Sequence, residues 1–162
     1  MKRIIVLLAF ALLLTGCSQG ADFETMQDAY GEQQLPAMQQ VQYQLPRDAS
    51  AQAIQSSYGQ LYFCDGYDIT LQTFSAGDLD RTLRELTGFQ RAELSVIETG
   101  TKGIARYECV WSAAGEEGDM VGRAVILDDG NYHYCMTAMA DEDHVLQLKD
   151  TWQALFDSFI LG

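Results

Sequence analysis

The stretch GIARYECVWSAAGEEGDMVGRAVILDDGNYHYCMTAM, residues 103–139, decides the fold. It reads as three β-strands, Gly103–Ser112, Met120–Asp128 and Tyr132–Met139. The polar loop Ala113–Asp119 separates the first two, and a turn around Asp129-Gly130 separates the last two. Alternation puts Ala105, Tyr107, Cys109 and Trp111 on one side, with Ile104 and Val110 opposite. In the last hairpin, Ala124 and Ile126 face one way while Val121, Val125 and Leu127 face the other. A sheet that is apolar on both faces needs cover on both.

Working upstream, a further strand, Ala92–Glu98, is joined to the first by a turn at Thr99-Gly100-Thr101. Before it, Leu61–Phe63 and Tyr67–Phe74 flank Asp65-Gly66, a strong hairpin signal because glycine tolerates positive φ. Ser75-Ala76-Gly77-Asp78 reads as a capping box in which Ser75 caps and Asp78 reaches back. Leu79, Leu83 and Leu86 follow at helical spacing, and Gly88 stands where the helix should stop. Further upstream, Val41, Tyr43 and Leu45 alternate as a short edge strand that Pro46 ends. Downstream, a helix begins near Asp141, where Asp141, Glu142 and Asp143 suit its positive end. Its apolar face runs Val145, Leu148, Trp152, Leu155, Phe156 and Phe159. The expectation is an α+β fold: an antiparallel meander of about six strands, with one short helix and a long C-terminal amphipathic helix packed on its faces. In the order of its elements and the aromatic C-terminal helix, the stretch 58–160 resembles the PsbP-like fold, known from an extrinsic photosystem subunit and from small bacterial lipoproteins. Nothing in the sequence supports a photosynthetic role.

The first residues have a separate logic. Lys2 and Arg3 precede an uninterrupted apolar run, Ile4–Leu14, and then Leu14-Thr15-Gly16-Cys17. The run falls well short of the ~20 residues needed to span a bilayer, so it reads as an export signal. The sequence LTGC resembles the lipobox of bacterial prolipoproteins. That resemblance implies cleavage before Cys17, lipidation of its thiol and anchoring by acyl chains, two or more of which hold stably. The implied organisation is a signal peptide 1–16, a lipidated cysteine with a polar Gln-rich tether 17–36, and one α+β domain 37–162. The implied location is the extracytoplasmic face of a cell membrane.

Charge narrows the partners. The chain carries 10 Lys and Arg against 23 Asp and Glu, a net charge of −13. Without Lys2 and Arg3 the basic count falls to 8 and the charge to near −15. That disfavours nucleic acid, which needs phosphate-neutralising Lys and Arg. It also disfavours electrostatic adhesion to anionic lipid, which leaves attachment to the acyl chains.

Motifs for chemistry are sparse. Beyond Cys17 there remain Cys64, Cys109 and Cys135, without the Cys-x-x-Cys spacing of a metal site. With Cys135 opposite Ala124 and Cys109 near Gly122, the two flank a common strand about 10 Å apart, too far for a disulfide. A disulfide would therefore join Cys64 to Cys135 or to Cys109; the alternative is three buried thiols in the core. His133 sits in the aromatic patch Tyr132-His133-Tyr134, and His144 lies in the first turn of an acidic helix. No nucleophile elbow, phosphate-cradling loop or cofactor motif is present. Asp128-Asp129-Gly130-Asn131 lacks the acid spacing of a calcium loop and reads as a turn. The expected function is a non-catalytic interaction module at the cell envelope, docking a protein or small ligand through exposed Tyr or Trp. Two rivals are an envelope enzyme or accessory subunit with a pocket near His133, and a ligand-capturing lipoprotein of a transporter.

Overall fold

The structure, a computed structural model, describes residues 36–51, 59–101, 103–115 and 118–162. Cys17, Tyr58 and all but Pro36 of the tether expected over 17–36 lie outside the described residues. The elements are β1 (Val41–Gln42), β2 (Ser50–Ala51), β3 (Gly59–Cys64), β4 (Tyr67–Ser75), α1 (Leu79–Thr87), a 3-10 turn (Arg91–Glu93) and β5 (Ser95–Thr101). They continue with β6 (Ile104–Ala114), β7 (Asp119–Asp128), β8 (Tyr132–Asp141), α2 (Glu142–Asp157) and β9 (Ile160–Leu161).

Seven strands form one antiparallel sheet in the order β2-β3-β4-β8-β7-β6-β5, and β1 pairs with β9 apart from it. Strands β5 to β8 make the expected meander. The sheet as a whole is not a meander, because β4 pairs with β8 along its whole length, Tyr67 opposite Ala140 through Ser75 opposite Tyr132. Ser50–Ala51, paired with β3, makes the sheet seven strands instead of about six. The long β4–β8 pairing also corrects the start of α1. Ser75 is held in the sheet, and Asp78 caps the helix, its carboxylate accepting from the Asp80 N–H at 3.0 Å. Gly88 ends α1 at φ 79°, as its position required. The turn expected at Thr99-Gly100-Thr101 falls instead beyond Thr101, where Gly103 supplies φ 80°. Residues 99–101 are thereby drawn into β5.

Both faces are covered, as the two-sided alternation demands. On one face Ile69, Leu71, Val125, Leu127, Tyr134 and Met136 pack under Trp152, Leu155 and Phe156 of α2. Burying each such large side chain is worth about 1.5–3 kcal/mol. Met38, Val41, Tyr43 and Leu45 extend this cover along the sheet. On the other face Leu83 of α1 packs with Cys109, Trp111, Ala124, Ile126 and Cys135. Trp111 stands directly opposite Gly122, and its indole fills the space that a Cβ there would need.

The C-terminal helix is shorter than expected, 16 residues, and Phe159 is buried just past its end instead of on its face. The chain leaves the helix there because Ile160–Leu161 pairs with Val41–Gln42. Arg106 secures this exit, donating to the carbonyls of Phe156 at 3.0 Å and Phe159 at 3.1 Å. A guanidinium suits these acceptors, since a helix C-terminus carries partial negative charge. Glu108 lies between Arg106 (2.7 Å) and Arg123 (2.9 Å), and Arg123 also stacks 4.7 Å from the centre of the Phe156 ring. Burial alone would raise the Glu108 carboxyl, but the two guanidiniums hold it below the usual carboxylate range.

The segment from Pro36 is tied to the β7–β8 turn. Tyr132 Oη donates to the Pro36 carbonyl at 2.9 Å, and the Gln39 N–H donates to Tyr134 Oη at 2.7 Å. Gln39 Nε2 donates to Asp129 at 2.8 Å, and the same carboxylate accepts from the backbone N–H groups of Asn131 and Tyr132. Burial would raise Asp129, but these donors bring it below its ordinary value. The turn reading of residues 128–131 thus describes how both carboxylates are used. Asp128 accepts from the Gly130 N–H at 2.7 Å.

Candidate functional site

His133, on β8, is enclosed at 2% exposure between α1 and β7. Its Nδ1 lies 2.7 Å from Thr82 Oγ1, and its Nε2 lies 3.5 Å from Asp128 Oδ2. Hydroxyl, imidazole and carboxylate in that order are the parts of a nucleophile–base relay. A relay must also meet a substrate within hydrogen-bond reach, and Thr82 is itself only 3% exposed. The depression beside it, formed by Phe74, Gly77, Asp78 and Arg81, reaches Thr82 but not His133. The Thr82–His133 bond is buried and fastens α1 to the sheet, which is what a buried polar pair needs. His144 lies on the exposed first turn of α2, 3.7 Å from Asp141.

Cys64, Cys109 and Cys135 are free thiols. The register shows why Cys64 pairs with neither of the others. Its side chain joins the α2 face of the sheet, whereas Cys109 and Cys135 both belong to the α1 face. Cys109 stands opposite Ala124 and Cys135 opposite Ile126, each two residues further along β7 than expected. They still flank that strand, about 10 Å apart across it. Burial raises all three thiols, Cys109 to about 11 and Cys135 well above its ordinary value, so none is a ready nucleophile.

The surface offers a different feature. The edge strand β5 pairs with β6 on one side, and among the described residues no strand pairs with its other side. Six of its seven residues are exposed. On the α2 face, Ser95 lies opposite Val110 and Ile97 opposite Glu108, so Ile97 and Val110 are diagonal neighbours. They are 65% and 57% exposed. Helix α2 packs on β7 and β8, and its C-terminal carbonyls reach no further than Arg106, which leaves the outer part of this face uncovered. The same strand continues through Thr99 and Thr101 into a groove of about 360 Å³. Ile104, Leu127, Phe159, Ile160 and Leu161 line it, and Arg106 is its one charged lining residue. That guanidinium is engaged by Glu108, which it shares with Arg123, and by the carbonyls of Phe156 and Phe159.

Edge strand, aliphatic pair and groove form one continuous surface with unpaired backbone donors and acceptors along its rim. No sequence pattern marks it, because exposure of Ile97 and Val110 depends on where α2 stops. Among the described residues every tyrosine and tryptophan is buried or half-buried, so the surface is aliphatic and not aromatic.

Residues 1–18, which include Cys17, match the family of the prokaryotic membrane lipoprotein lipid attachment site. No curated protein matches the chain in sequence. Among solved structures, the chain is similar to cyanobacterial PsbP (CyanoP) from Synechocystis sp. PCC 6803, with TM-score 0.57 at 8% identity over 75% of this chain and 86% of that one. It is similar also to LpqN, involved in cell envelope biogenesis of Mycobacterium tuberculosis, with TM-score 0.50 at 13% identity over 78% and 85% of the two chains. A protein of Bacteroides thetaiotaomicron VPI-5482 matches with TM-score 0.53 at 11% identity over 75% of this chain. The present chain spans only 45% of that protein's length. These likenesses bear out the PsbP-like fold, and at such identities they speak to fold alone. Among the described residues no helix is long and apolar enough to cross a membrane. The attachment site supports anchoring to membrane lipid through an acylated cysteine.

Proposed function

We propose that the chain is a lipoprotein whose acylated Cys17 holds a non-catalytic interaction module at the extracytoplasmic face of the cell envelope. One observation carries the module reading. The buried polar groups suited to chemistry are engaged with one another, whereas the exposed aliphatic residues of the sheet gather beside an open strand edge. His133 and Thr82 fasten a helix, and Glu108, Arg106 and Arg123 fasten another. Ile97 and Val110 fasten nothing among the described residues, and a docking surface accounts for their exposure.

The anchor is tested in cells expressing the full chain by metabolic labelling with palmitate. Cys17→Ala should remove the label and shift the protein from the membrane fraction to the soluble one; label retained on that variant overturns the anchor. The module is tested with a photo-crosslinking residue placed at Val110, or at Leu146 on the exposed side of α2 as control. A discrete adduct from position 110 and none from position 146 is expected. Adducts from neither position would sink the reading.

A further inference from the structure

We infer that β5 is a strand-addition site, and that its occupant is an extended segment of a partner protein with aliphatic and basic residues in alternation. The inference rests on the interaction-module reading and says what kind of segment that module takes.

The backbone comes first. β5 is seven residues long, keeps unbroken register with β6, and contains no proline or bulge. Edge strands usually carry such features because a bare edge recruits another strand. At the other edge of the sheet the described strand is Ser50–Ala51. Among the described residues, β5 is the longer edge strand, with seven residues. A segment laid along it finds hydrogen-bond partners at every second residue without any side-chain requirement.

Side chains then set the sequence of the occupant. Alternate residues of an added strand would face the α2 side, where Ile97 and Val110 are exposed and the groove of Ile104, Phe159 and Ile160 continues past Thr99 and Thr101. Those positions call for aliphatic side chains. The intervening residues would face the other side, beside Glu98, whose carboxylate has no basic partner among the described ion pairs. With a chain charge of −13, those positions call for Lys or Arg.

The same charge disfavours a second copy of this chain. Glu98 is the central residue of β5, so a centred antiparallel pairing of two copies sets it against its own twin.

The test uses the folded protein with a capped seven-residue peptide of alternating Val and Lys. Saturable binding is expected, with slowed amide exchange confined to 95–101. Methylating alternate backbone nitrogens of the peptide should weaken binding at least tenfold, as should Ile97→Ser in the protein, and replacing Lys by Glu in the peptide should abolish it. Binding indifferent to N-methylation, or protection elsewhere on the domain, overturns strand addition. So does a dimer of the protein alone that Ile97→Lys dissolves, which would give the edge to a second copy. If the peptide fails but the position-110 crosslink persists, strand addition falls and the module reading stands; loss of both removes the module as well.

Discussion

Replacing Gly122 by Ala tests the packing of the α1 face directly. A Cβ at this position would lie 2.7 Å from Trp111 Cη2 and closer still to Cζ2 and Cε2. Carbon atoms settle at about 3.5–4.0 Å, so the indole must shift by about 1 Å or more. It has little room, because Trp111 is buried among Cys109, Ala124 and Leu83 and their half-buried neighbours. Overpacking of this kind costs about 1–3 kcal/mol. Removing glycine's freedom from the unfolded chain returns about 0.5–1 kcal/mol. The net expectation is a loss of about 1–2 kcal/mol, or roughly 4–8 °C in Tm for a domain of this size. Urea unfolding of the wild type, Gly122→Ala, Trp111→Leu and the double variant closes a cycle. In the Trp111→Leu background the alanine should be neutral or slightly stabilising, giving a coupling of about 2 kcal/mol. A neutral Gly122→Ala, or a coupling near zero, would refute the claim that this glycine is there to seat the indole.

Three other outcomes follow from the geometry. Arg106→Met removes both donors to the end of α2 and leaves Glu108 with Arg123 alone; a loss of about 2–3 kcal/mol in urea unfolding is expected, with early amide exchange at the α2–β9 junction. Glu108 and Asp129 are held below the ordinary carboxylate range, so each binds its proton more readily when unfolded. The stability they add is complete above that range and is lost as pH falls through their depressed values; Glu108→Gln with Asp129→Asn should flatten this acid loss in unfolding midpoints taken from neutral to acid pH. In the native protein, alkylation at mildly alkaline pH should modify Cys64 first and leave buried Cys109 and Cys135 untouched until urea is added, with no mass change of the isolated domain on reduction.

Much of this fold is legible from local chemistry. Asp65-Gly66 and Gly88 announce a hairpin and a helix end, and the double-sided alternation of 103–139 announces a sheet sandwiched between covers. What resists reading is pairing between distant segments. Ser75 is a sound cap in isolation and loses that role because Tyr132 claims it across the β4–β8 ladder. Thr99-Gly100-Thr101 is a sound turn in isolation, but the hairpin turns two residues later. Strand alternation sets Cys109 and Cys135 on either side of β7, but the face of Cys64 is decided by the placement of β3 against β4. The burial of His133 under α1 depends on how that helix docks, which its neighbours in sequence do not encode. Gly122 opposite Trp111 is a tertiary contact that follows from the register of β6 and β7.

The strand order has a consequence for how the domain is made. β8 is the middle strand of seven and, apart from the helix and short ribbon after it, the last to be synthesised. Until residues 132–141 emerge, the β2–β4 and β5–β7 portions share no edge, and each presents an unfinished one. Closure then depends on contacts reaching back more than sixty residues, from Tyr134 to Thr73 and from Ala140 to Tyr67, a topology that folds slowly. Truncation before β8 would leave the β2–β4 and β5–β7 half-sheets unjoined, each with an open edge able to pair with another chain.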